Sequence, residues 1–369
     1  MSNYDPGKTW VIKIGSSLLT ANGQGLSESA VERWVDEIVK ISQSGIQVVL
    51  VSSGAVAEGM WRLGIATRPR SLHLLQAAAA VGQMGLIQLY ESKFQRHGMR
   101  TAQVLLTHGD LRVRERYLNA RTTLRNLLAL NVIPVINEND TIVTDEIRFG
   151  DNDTLAALVA NLIEASTLLL LTDQRGLFDS DPRKSEQAKF IQEAAAGDIN
   201  LDKMAGEGSK LGRGGMVTKL QAARTAARSG ANTVIASGQD HGVITRLAQG
   251  GVSGTLLRAE KSTLVSRKQW LAGLRARGKL VLDAGAVKVL IRDGRSLLPV
   301  GVKSASGEFT RGDMVACMDE QGREIARGLI NYDCKECQAL SGHASSEIEE
   351  ILGYMGDEEV IHRDNLVLL

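Results

Sequence analysis

Hydrophobic positions in the first 260 or so residues follow two alternating rhythms. Short runs are apolar almost throughout: Trp10 to Ile14, Ile46 to Val51, Val132 to Ile136, Leu168 to Leu171 and Thr233 to Ala236. With a further run at 101–106, they read as strands, most of them buried on both faces. Between them the apolar residues fall three and four apart, as in Val31, Trp34, Val35 and Ile38. Ser29-x-x-Glu32 reads as a capping box opening that helix, and Gly45 as its stop. An Ala/Leu-rich helix follows around 72–97, then helices near 115–130, 153–163 and 216–229. Strands alternating with helices predict an α/β fold, a mainly parallel sheet sandwiched by helices.

Ligands of such sheets bind beyond the carboxyl ends of the strands. Each strand runs at that end into a polar or glycine-rich loop: Gly15-Ser16-Ser17, Ser52-Ser53-Gly54-Ala55, Asn137-Glu138-Asn139-Asp140 and Thr172-Asp173. The loops therefore converge on one rim, and the chemistry is expected there. After about residue 275 the rhythm changes to short segments punctuated by turns such as Asp293-Gly294 and Ser306-Gly307. Val315 to Met318 and Glu324 to Leu329 read as a hairpin around Gln321-Gly322. The pattern predicts two domains, 1–262 and a small, mostly β domain at 275–369, joined by a basic, polar stretch.

Composition narrows the function. The 43 Lys+Arg against 42 Asp+Glu sum to +1, which excludes wholesale binding of nucleic acid or anionic membrane. Apolar content of 43% with five prolines excludes a mainly disordered chain. No unbroken apolar run approaches the ~20 residues of a membrane span, and the N-terminus reads as no secretory signal. The three cysteines, 317, 334 and 337, suit a reducing cytoplasm and are read as ordinary thiols. No H-E-x-x-H, G-x-S-x-G or paired C-x-x-C occurs, so no metal site is assigned.

Lys13 at the end of the first strand, followed by Gly15-Ser16-Ser17, suits a phosphate: backbone N–H groups approach an anion and the ammonium neutralises it. Alone it is equally a strand-to-loop turn with a solvated lysine. The stretch Arg213-Gly214-Gly215-Met216-Val217-Thr218-Lys219 leads glycines into a helix whose first turn carries a lysine. That lysine opposes the helix macrodipole, which is tolerable if an anion lies beside it. Asn137 to Asp140 and Gly150 to Asp153 are dense in short polar groups; Asn152 or Asp151 singly reads as a helix cap. A carboxylate set between two lysines holds both in place. Thr172-Asp173 reads either as a simple strand end or as a nucleotide contact.

These six segments stand in the order seen in the amino acid kinase family, which the chain resembles over nearly its whole length. The region 279–360, with Gly301-Val302-Lys303 and Arg311-Gly312-Asp313, is similar to a PUA domain. The resemblance implies transfer of the γ-phosphoryl of ATP to the side-chain carboxylate of L-glutamate, the first step of proline synthesis. It implies Lys13 and Lys219 on the phosphoryl group and Asp153 organising them, with Ser53, Asp140 and Asn152 holding glutamate and Gly54, Ala55 and Asn137 nearby. The nucleotide site would comprise Lys13, Gly15, Thr172, Asp173 and Arg213 to Lys219, including Gly214, Gly215, Met216, Val217 and Thr218. Mg2+ is implied on the phosphates, with proline as feedback inhibitor, a homo-oligomer (dimer or tetramer) and association with the next pathway enzyme. Arg213 departs from the small polar residue frequent in relatives. The alternatives are a kinase of acetylglutamate or aspartate, and an RNA-binding protein acting through the PUA-like region. Against the latter, residues 275–369 hold 12 Lys+Arg and 16 Asp+Glu, where phosphate tracking calls for a basic surface.

Overall fold

A computed structural model describes residues 7–20, 25–143, 152–180, 182, 185, 187–204, 215–260, 275–354 and 356–369. The chain divides into two compact units, Met1–Arg112 with Asn119–Thr263, and Val113–Leu118 with Leu264–Leu369.

In the first unit the described residues form an eight-stranded sheet. Its strands are β1 (Thr9–Ile14), β2 (Gln47–Ser52), β3 (Arg100–Leu106), β4 (Val132–Glu138), β5 (Thr167–Thr172), β6 (Glu193–Ala195), β7 (Asn232–Ser237) and β8 (Thr255–Arg258). Their order is β3-β4-β2-β1-β5-β7-β8-β6, and the first six run parallel. The antiparallel β7/β8 pair reverses the last two, which makes the sheet mixed at one edge. The helices are α1 (Ser16–Leu19), α2 (Glu28–Gln43), α3 (Ala55–Arg62), α4 (Leu72–Gln95), α5 (Arg114–Ala129, its residues 114–118 counted with the second unit), α6 (Asn152–Ile163), α7 (Asn200–Met204), α8 (Met216–Ala227) and α9 (Val243–Ala248).

The two rhythms read from the sequence map onto these elements because central strands and one face of each helix share one core. Trp10, Ile12 and Ile14 of β1 pack with Val31, Trp34, Val35 and Ile38 of α2, all essentially buried. The start of α2 corrects the capping reading. Ser27, in an extended conformation, accepts from Ala30 N–H, and Ser29 already lies inside the helix. Glu32, freed from a capping box, pairs instead with Lys93 and Arg96. Gly15-Ser16-Ser17 differs too: Ser16 opens the short α1 rather than a loop.

By length and composition α4 could cross a membrane, a property that counting unbroken apolar runs did not reveal. It is instead a core helix: Leu75, Ala78, Leu86, Tyr90 and Phe94 are buried, and it crosses α3 at backbone contact. A Cβ on Gly59 would stand 1.7 Å from the Ala78 carbonyl oxygen, and one on Gly82 would stand 1.9 Å from that of Ala55. The two glycines thereby fix the start of α3 against α4.

The second unit holds a five-stranded sheet in the order β10-β9-β11-β12-β13. Its strands are β9 (Gly278–Leu282), β10 (Val302–Gly307), β11 (Met314–Met318), β12 (Glu324–Leu329) and β13 (Leu366–Leu368). The hairpin read around Gln321-Gly322 is β11/β12, with Gly322 at φ +77°. Between strands lie helices that turn punctuation hid: α10 (Ala284–Asp293), α11 (Cys334–Leu340) and α12 (Ile348–Leu352). Cys317 and Cys337 are buried free thiols whose ionisation burial pushes upward, to about 12 for Cys317.

Candidate active site

Parallel neighbours β2 and β5 flank β1 on both sides, which leaves Lys13 only 6% exposed. An ammonium so far from water requires a partner anion. Asp153, in the first turn of α6, provides it: Lys13 Nζ lies 2.6 Å from Asp153 Oδ1. The other carboxylate oxygen, Oδ2, accepts from Lys219 Nζ at 3.1 Å and from the Thr218 hydroxyl at 2.9 Å. Lys219 is 5% exposed and Asp153 1%. The anion that a lysine at the start of α8 needs is therefore a carboxylate of the protein itself. Burial pushes the Asp153 carboxyl upward, but the charges of Lys13 and Lys219 outweigh it and hold it down from an ordinary 3.8 to about 2. The structure thus brings the two predicted lysines together over one carboxylate, at the end of the sheet where β1 and β5 terminate.

A second group lies beside it. Asn152 opens α6, and its Nδ2 is 2.9 Å from Ser53 Oγ, 3.0 Å from Asn137 Oδ1 and 3.2 Å from the Ser52 carbonyl oxygen. The Asn137 amide donates to Gln83 Oε1 at 2.8 Å, and Asn137 Oδ1 also accepts from Glu138 N–H. Residues from β2, β4, α4 and α6 are thereby tied into one polar wall. Gly54 stands at φ +105° as the N-cap of α3, a left-handed conformation that favours glycine, and Ala55 is the first residue of that helix. Their position directs the first N–H groups of α3 toward the rim. Asp140 follows β4 in a turn and lines a cavity of about 390 Å³ with Gln83 and Glu138.

The predicted nucleotide residues are distributed around the other side of Lys13. Gly15 N–H donates to the Leu171 carbonyl, and a Cβ there would come within 3.9 Å of Lys13 Nζ. Thr172 is buried and its hydroxyl donates to Asp173 Oδ1; Asp173 is exposed. Gly215 is the N-cap of α8, with Met216, the exposed Val217 and Thr218 next in line. Arg213 and Gly214 lie outside the described residues, as do Gly150 and Asp151.

Sequence reasoning passed over several groups. Gln83 is a polar residue on the buried side of an Ala/Leu-rich helix, and that interruption was its signal. Glu138 stood in a quoted segment without a role. Arg175, Phe190, Gln192, Ser237 and Asp240 line a cavity of about 510 Å³, with the Arg175 guanidinium 4.9 Å from the Phe190 ring centre. Ser237 is the register partner of Thr172, so this cavity adjoins the predicted nucleotide residues.

Residues 8–237 match the amino acid kinase family, and residues 278–352 match the PUA domain. A glutamate 5-kinase from Chromohalobacter salexigens is 63% identical over 360 residues, 97% of this chain and 95% of that protein. A glutamate 5-kinase from Nitrosospira multiformis is 61% identical over 361 residues, 97% of each chain. One from Thioalkalivibrio sulfidiphilus is 62% identical over 364 residues, 98% of this chain and 97% of the relative.

Proposed function

This chain belongs to the amino acid kinase family, and on that premise we propose that it transfers the γ-phosphoryl of ATP to the side-chain carboxylate of L-glutamate. The products are L-glutamyl 5-phosphate and ADP, and the reaction opens proline biosynthesis. The observation that carries the reading is the buried Lys13–Asp153–Lys219 cluster, in a chain that glutamate 5-kinases match over 97% of its length.

The chemistry suits the residues. A carboxylate nucleophile is ionised at neutral pH, so no general base is called for. What remains is to hold two anions in line and offset their repulsion. Lys13 and Lys219 supply positive charge where it accumulates on the transferring group. Asp153 keeps both ammonium groups protonated and aimed. Ser53, Asn137, Asp140 and Asn152 hold glutamate, with the N-terminal N–H groups of α3 at Gly54 and Ala55 beside them. Thr172, Asp173 and the 213–219 stretch hold the nucleotide, and the Arg175/Phe190 cavity takes the base. Mg2+ accompanies the phosphates of ATP. Among the described residues no three His, Cys, Asp or Glu side chains gather to cage an ion.

The family resemblance extends the proposal to proline as feedback inhibitor, a homo-oligomer, association with the next enzyme of the pathway and a cytoplasmic location. The test is direct. Purified protein with ATP should phosphorylate glutamate in preference to acetylglutamate or aspartate, and Lys219→Ala should lower kcat by roughly 10²–10³-fold, as loss of an oxyanion donor does. Unchanged turnover in that variant sinks the assignment.

A further inference from the structure

The cavity beside Asn137 carries two buried polar groups whose hydrogen-bonding capacity is not fully used among the described residues. Gln83, 9% exposed, spends its Oε1 on Asn137, while its Nε2 is buried without a hydrogen-bond partner among the described residues. Glu138 is 5% exposed, and neither carboxylate oxygen accepts a hydrogen bond there; His108 Nδ1 stands 3.4 Å from Oε2, and Oε1 has no such neighbour. Both side chains line the same space of about 390 Å³. A buried donor and a buried carboxylate left unmatched are each unfavourable by an amount that a ligand can relieve.

The lining identifies the ligand chemistry. Glu138 and Asp140 place two carboxylates on this wall, and no Lys or Arg lines it, so the occupant presents a cationic group here. The Gln83 N–H group calls for an acceptor a short distance away. The remainder is mixed: apolar Ala79, Met84 and Leu105 alternate with uncharged polar residues such as Gln103 and Thr141. An ammonium and a carboxylate on one carbon meet both requirements.

We infer that Glu138 and Gln83 are specificity-determining residues that read the α-amino acid head of the substrate: Glu138 Oε1 accepts from the α-ammonium and Gln83 Nε2 donates to the α-carboxylate. The inference rests on the glutamate reading above and deepens it. It accounts for discrimination against an N-acylated acid, because acylation removes the charge that Glu138 answers. The head group is coupled to the reacting end through the bonds from Gln83 to Asn137 and from Asn137 to Asn152.

Two truncated substrates separate the roles. Glutarate lacks the ammonium and 4-aminobutyrate lacks the α-carboxylate; both keep the carboxylate to be phosphorylated. Their binding to the full chain, and that of L-glutamate, can be measured by titration calorimetry and by competition against glutamate turnover. Glu138→Gln should weaken glutamate and 4-aminobutyrate by roughly 10- to 100-fold, the scale of a charged hydrogen bond, and leave glutarate unchanged. Gln83→Glu, which keeps an acceptor for Asn137, should weaken glutamate and glutarate and spare 4-aminobutyrate. Equal weakening of all three ligands by either variant, or unaltered glutamate binding, overturns the inference. Should Glu138→Gln fail to fold, the wild-type protein still decides: glutarate must bind at least about tenfold more weakly than glutamate. Equal affinity for the two rejects the assignment. Absence of glutamate phosphorylation by the wild type would instead refute the parent reading.

Discussion

Two walls of one rim follow opposite rules. At the lysine end each buried charge is answered within the protein: Lys13, Lys219 and Thr218 converge on the two oxygens of Asp153. At the Gln83/Glu138 end, among the described residues, the Gln83 amide nitrogen and the Glu138 carboxylate are buried without a hydrogen-bond partner, with His108 Nδ1 3.4 Å from Glu138 Oε2. The first arrangement is preorganised: its desolvation is met when the chain folds, and its electrostatics are in place in the unliganded protein. On the inference above, the second leaves desolvation for a ligand to relieve, which would convert a local instability into selectivity. On the reading proposed above, a charge-paired cluster and a deficient one serve the same reaction at different stages.

The sharpest way to break this contrast is Asp153→Asn. Removing the shared anion strands two buried ammonium groups, so stability should fall by about 3–5 kcal/mol in urea unfolding, the cost of breaking a buried pair. Retention of wild-type stability would show that the first wall is not self-satisfied. A related test uses acid. The folded-state value of about 2 lies below the ordinary 3.8, so the contribution of Asp153 is complete above about pH 4 and drains away as pH falls toward 2. The stability gap between wild type and Asp153→Asn should be flat from pH 5 to 8 as far as this group is concerned, and should narrow below about pH 4.

Asn152→Ala probes the seam between the walls. It deprives Ser53, Asn137 and the Ser52 carbonyl of their common donor; KM for glutamate should rise about tenfold and stability should drop by about 1–3 kcal/mol. KM for ATP should hold, and a parallel rise there would show that the walls are not separable. The smallest effect belongs to Ser27→Ala, which removes the cap of α2 far from either wall. Unfolding should become easier by about 0.5–1 kcal/mol with kinetics unaltered.

Much of this was legible before any coordinates. Strand and helix periods located β1, β2, β4, β5 and β7 and the helices between them, since a strand covered on both faces must be apolar on both. Lys13, Asp153 and Lys219 stood out because lysines beside glycine-rich strand ends and helix starts fit an anion poorly matched elsewhere. Local pattern also misled. Ser29-x-x-Glu32 satisfies a capping box, yet the helix begins at Glu28, because the backbone turns one residue after Ser27 and a spacing rule cannot see that turn. The Arg175/Phe190 cavity had no linear signature, as the reversed strands β8 and β6 assemble its surroundings.

Periodicity and strand-end composition, then, were enough to lay out the sheet and nominate its rim, because burial repeats with the geometry of each element and is written residue by residue. Which polar atoms end up matched was decided elsewhere. Two ammonium groups stand 2.6 and 3.1 Å from the oxygens of Asp153, while among the described residues Glu138 has His108 Nδ1 at 3.4 Å from Oε2, a difference set by how closely atoms from α6, α8, β1 and β4 approach one another. Distances of 3 Å between remote segments arise from packing, and no local pattern in the chain encodes them.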